Sequence, residues 1–152
     1  MNTLARILSN KYILLGLRLV LGGVFIYASV YKVAEPQEFA RSIYNYRMLP
    51  EAVINLMAII MPWLELLCGI LIIIGGFVRG SAALIGLMLL VFIIAISSAL
   101  ARGLDISCGC FKVGDGGRLV GLKTLIEDIL MVIAVAVILV FSSPRFSRKG
   151  AN

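Results

Sequence analysis

The chain has 152 residues, 61% of them hydrophobic, and a mean hydropathy of +1.06, well above the roughly 45–50% apolar share of an ordinary soluble domain. That excludes a water-soluble globular protein. The net charge is +6 with no histidine, but the basic residues fall mostly at the ends of apolar runs, where they anchor and orient membrane helices, so nucleic-acid binding is not expected.

Four apolar runs follow one another, roughly 12–33, 52–75, 80–101 and 119–141. Each has about 20 residues or more, enough to cross a ~30 Å hydrocarbon core as a helix. They occupy most of the chain, which predicts one all-α membrane domain, a four-helix bundle over residues 1–152. The first run follows Arg6 and Lys11 as a secretory leader would. It is longer than a leader's apolar stretch, carries Arg18 inside, and has only Ala28-Ser29-Val30 as a poor cleavage site. It reads as an uncleaved first span.

Within that span Arg18, Gly22, Phe25, Ser29 and Lys32 are spaced 4, 3, 4 and 3, which places them on one stripe. Gly22 on such a stripe would let another backbone come close. The next segment, Glu35–Pro50, is too polar to span. Pro36 suits a first helical turn, and Phe39, Ile43 and Tyr46 share a face. It reads either as an amphipathic helix in the outer interface or as an irregular loop.

Ionisable residues inside spans are costly and normally face the bundle interior in pairs. Glu65 lies in the second run. Counted from the end of the bundle that holds the termini, it falls at about the depth of Arg18, roughly 10–15 Å in. The expected buried pair is Arg18 with Glu65. Such a pair more often fixes helix register than does chemistry; the functional alternative is proton handling by Glu65 or Asp128. Glu127 and Asp128 lie about two turns into the fourth run, within reach of Lys32 or Arg102, and Lys123 stands four residues before Glu127. Cys68 reads as a small apolar filler.

Between the third and fourth runs lies Cys108-Gly109-Cys110, in a segment that also holds Gly103, Gly114, Gly116 and Gly117. Two thiols one residue apart can bridge only across an extended or sharply turned backbone. A small ring of that kind is expected to be strained, and strained exposed bridges are the ones that exchange electrons. The plainer alternatives are idle loop cysteines or a local structural bridge. Arg102, Lys112 and Arg118 are positive charges able to favour a thiolate. A metal site is not expected, since only Asp105 and Asp115 remain to complete a tetrahedral set.

Four spans put both termini on one side. The first span and the acid-free basic tail favour a cytoplasmic placement. A bridging cysteine pair persists only in an oxidising compartment. The expectation is therefore a multi-pass protein of a bacterial inner membrane, with the cysteine segment facing the periplasm.

Taken together, Arg18 with Gly22, Lys32…Pro36…Phe39, Leu49-Pro50, Pro62-Trp63-Leu64-Glu65-Leu66-Leu67-Cys68-Gly69 and Cys108-Gly109-Cys110-Phe111 resemble the MauE branch of the DoxX-like family of small redox-associated membrane proteins. Lys112 stands where that family commonly has glycine. The resemblance implies a four-span inner-membrane protein tied to methylamine utilisation, assisting maturation of a disulfide-rich enzyme subunit beside a thioredoxin-like partner. The function expected is thiol–disulfide exchange through Cys108 and Cys110, with that partner or a disulfide-containing client. Electrons would pass to or from a quinone, although no residue demands one. The alternatives are a non-catalytic assembly or scaffold subunit, or a small permease using Arg18 and Glu65, which would require oligomers.

Overall fold

The computed structural model describes residues 10–104, 106 and 121–142. Five helices account for nearly all of them: α1 (Lys11–Ala34), α2 (Pro36–Asn45), α3 (Glu51–Ile74), α4 (Val78–Ala101) and α5 (Leu122–Phe141). All but α2 are long and apolar enough to cross a membrane. Among the described residues there is no strand, and the chain is a helical membrane bundle.

The boundaries follow local chemistry. Asn10 caps α1 by accepting the Tyr12 amide at 3.0 Å. Pro36 opens α2 and Glu35 ends α1, so the segment read as helix or loop is a helix from Pro36 to Asn45. Arg47 turns the chain with φ 51°, and Pro50 leads into α3. Gly75, at φ 88°, ends α3 in the left-handed region that glycine enters without a Cβ clash.

Most of each long helix's outward face is apolar and exposed. On α3, Leu56, Ile59, Trp63, Leu67 and Ile74 form such a face, the surface that lipid would cover. The inward faces bury Leu21, Phe25, Cys68, Ile72, Ala82, Ile85, Leu89, Val135 and Ile138 in one core. Helix α1 packs most extensively on α3, and α4 on α5, while α3–α4 and α1–α5 contacts close the ring. At the α1–α3 crossing a Cβ on Gly22 would lie 2.7 Å from the Gly69 carbonyl oxygen, and one on Gly69 would lie 3.0 Å from the Gly22 oxygen. The two backbones touch, as the Gly22 stripe predicted.

The four spans alternate in direction, so α2 and the segment joining α4 to α5 share one end of the bundle. Helix α2 docks there on α3 through Phe39 and Ala58. Just beyond α2, Tyr46 packs with Ile96 and Ala99 of α4, with Leu104 and Ile106, and with Leu125 of α5. Arg102 fastens the same corner by donating to the Tyr46 carbonyl at 2.6 Å and to the Ser98 carbonyl at 3.1 Å.

Candidate functional site: a buried charge cluster in the bundle

The stripe on α1 turns inward as its spacing predicts: Gly22, Phe25, Ser29 and Lys32 are all buried. Lys32 is 2% exposed and Glu65 is 2% exposed. The ammonium donates to both Glu65 carboxylate oxygens, at 2.7 and 2.9 Å. It also sits 4.9 Å from the centre of the Phe39 ring and 5.1 Å from that of Phe92, so two aromatic faces share in solvating the cation. Pro62 is buried one turn before Glu65 on the same inward face of α3.

This pairing corrects the expected one between Arg18 and Glu65. The Gly22–Gly69 contact sets the register of the antiparallel helices. Counting from it, the Glu65 backbone lies level with residue 26, about 9 Å along the axis from Lys32 and about 12 Å from Arg18. Helical side chains lean toward their own N-terminus. Lys32 and Glu65 therefore lean toward each other, and Arg18 leans away. Equal depth measured from the helix ends misled because α1 and α3 are not flush. Arg18 is half-buried and caps α3 instead, its Nε donating to the Ile72 carbonyl at 2.8 Å and a terminal nitrogen to that of Ile73 at 3.3 Å. A cation at those carbonyls also complements the helix dipole.

Asp128 joins the cluster from α5. It is 3% exposed, and together with Lys32, Glu65, Phe25, Ala28 and Phe92 it lines a cavity of about 30 Å³, room for one or two water molecules. Among the described residues, two buried side-chain polar atoms lack a hydrogen-bond partner, Asp128 Oδ2 and Ser81 Oγ. The reach from Lys32 toward Asp128 was legible from span depth; the orphaned oxygen was not. Tyr46 flanks the cluster from the end of α2. Burial pushes its phenol up to about 12, and the Asp128 charge adds to the shift. The phenol therefore stays protonated at working pH.

Cys68 is buried in the apolar core and unbridged, as a filler would be. Cys108 and Cys110 lie outside the described residues. Both flanks of their segment are placed, because Leu104, Ile106 and Leu125 all pack on the Tyr46 corner. An apolar cleft of about 210 Å³ opens nearby between α2, α3 and α4, lined by Phe39, Ile43, Met57, Met61 and Phe92. Tyr46 is the polar side chain among the described residues lining it.

The comparisons with known proteins bear on the whole bundle. The family model for methylamine utilisation protein MauE matches residues 10–141. Methylamine utilization protein MauE of Paracoccus denitrificans is 27% identical over 135 residues, covering 88% of this chain and 73% of the relative. The proteins of the same name from Methylorubrum extorquens and Methylophilus methylotrophus are 31% and 30% identical, over 57% and 56% of this chain and 47% and 45% of their own lengths. No solved structure matches the chain. A match that runs from the N-cap of α1 to the last residue of α5 places the chain in the MauE family, as a multi-pass membrane protein associated with methylamine utilisation.

Proposed function

We propose that this chain is the membrane component of a periplasmic thiol–disulfide system, exchanging through Cys108 and Cys110 with a thioredoxin-like partner or a disulfide-containing client during protein maturation. The wider DoxX-like, redox-associated kinship read from the same motifs accords with that role. One observation carries the reading: the segment holding Cys108-Gly109-Cys110 is rooted at both ends on the Tyr46 corner, and Arg102 ties that corner to the end of α2. Both roots stand at one end of the bundle, the end from which a partner outside the membrane would approach.

In the reducing direction, a thiolate on Cys108 or Cys110 attacks one sulfur of the partner disulfide, forming a mixed disulfide and releasing the partner's other thiolate. The second cysteine then attacks the bridge. The chain's pair ends oxidised, and two electrons have passed to the partner. The oxidising direction is the reverse. The cysteines contribute the chemistry, and the helices contribute placement at the membrane surface.

The test is trapping. In membranes carrying Cys110→Ser, the remaining Cys108 should accumulate a reducible adduct with a partner protein that mass spectrometry identifies. If no adduct forms, and a Cys108→Ser/Cys110→Ser chain still supports maturation of its client, the chain is an assembly scaffold and the exchange reading fails.

A further inference from the structure

Three charged groups meet inside the bundle, and their charges do not cancel. Lys32 commits its ammonium to both oxygens of Glu65, which leaves Asp128 as the odd group. Among the described residues its Oδ2 is buried without a hydrogen-bond partner, and Asp128 lines the small cavity beside the pair. Facing it are Lys32 from α1, Glu65 from α3 and Tyr46 from the turn after α2, with Glu127 adjacent on α5. Arg102 is engaged at the Tyr46 and Ser98 carbonyls. An ionised, unpaired carboxylate in a low-dielectric interior is strongly disfavoured. One proton removes the excess charge and turns the orphaned acceptor into a donor.

We propose that the cavity is a proton site, in which Asp128 holds one exchangeable proton at neutral pH and a single water links its carboxyl to the Lys32–Glu65 pair. Lys32 stays hydrogen-bonded to both Glu65 oxygens and sets the field in which the Asp128 proton sits. The cavity has room for that water, and three polar groups border it, the number of partners a buried water usually finds. This inference is independent of thiol exchange, since it rests on Lys32, Glu65 and Asp128 alone.

Infrared difference spectroscopy on the full chain in lipid bilayers tests it directly. At neutral pH the wild-type protein should show the C=O stretch of a protonated carboxyl, lost on alkalinisation. Carbon-13 in the aspartate carboxyls should shift that band, and the same label in glutamate should leave it in place. Asp128→Asn should abolish it. The sequence has two other aspartates, Asp105 and Asp115, and Asp105→Asn/Asp115→Asn should keep the band, which decides the matter even if Asp128→Asn does not fold. Cys108→Ser/Cys110→Ser should also keep it, so the outcome is separate from that of the trapping experiment. A wild-type spectrum without the band at neutral pH, or a band that moves with the glutamate label, would overturn the proposal.

Discussion

A lysine in a membrane-spanning helix must be neutralised, solvated or both, and Lys32 has three partners that do so: Glu65, Phe39 and Phe92. Removing one member of such a pair leaves the other charge stranded, which typically costs about 3–5 kcal/mol, whereas replacing both by apolar residues is often neutral or better. Lys32→Leu and Glu65→Leu should therefore each destabilise the bundle strongly, and the double variant should recover much of the loss. Arg18→Leu should behave differently. It loses hydrogen bonds to the α3 terminus, and its effect should add to that of Glu65→Leu, because the two groups share no contact. Folded yield and thermal unfolding in detergent measure the three single variants and the two doubles, Lys32→Leu/Glu65→Leu and Arg18→Leu/Glu65→Leu. Strong coupling between Arg18 and Glu65, with none between Lys32 and Glu65, would contradict the observed register.

At the scale of the helices, α1 and α3 are joined by contacts only glycine permits. Gly22→Ala would press a methyl group into the Gly69 carbonyl and Ile73, an overpacking that typically costs about 1–3 kcal/mol. Gly75→Ala combines two faults, a left-handed backbone at φ 88° and a collision with the Arg18 guanidinium, and the conformational part alone is worth about 1–2 kcal/mol. Exposed Gly16 and Gly23, where a Cβ meets nothing, should accept alanine with no loss of melting temperature. Equal melting temperatures for Gly22→Ala and Gly23→Ala would show that the crossing is looser than described. The same elements show what a sequence can disclose. Uninterrupted apolar runs located the four spans to within about three residues, because a hydrocarbon layer sets their length, and the 4-3-4-3 stripe named the inward face of α1. Partner choice was not legible. It depends on the stagger of α1 against α3, fixed by the Gly22–Gly69 contact, and on which way long side chains lean, neither of which depth along one chain contains. The helical state of residues 36–45 was undecided in sequence because its buried face, Phe39 with Ser42, has meaning only once Ala58 is there to receive it.

The whole molecule has two unlike ends. One carries α2, the Tyr46 corner and both roots of the segment that contains Cys108 and Cys110; the other carries Asn10, the Gly75-Gly76 turn and Ser142. A bundle of four spans cannot place these two ends in the same compartment, so a single labelling result orients everything. A reversible cysteine pair functions only where oxidants and exchange partners are present, and the basic residues near the first span favour a cytoplasmic start. Residues 10 and 142 should therefore face the cytoplasm. In spheroplasts treated with a mild reductant, a membrane-impermeant maleimide should label Cys108 or Cys110 before lysis. Cys68, 2% exposed in the core, should remain unlabelled until the protein is denatured, which gives an internal control on bundle integrity. Labelling of the pair only after lysis would turn the molecule over, put the cysteines in a reducing compartment, and remove the physical basis for disulfide exchange.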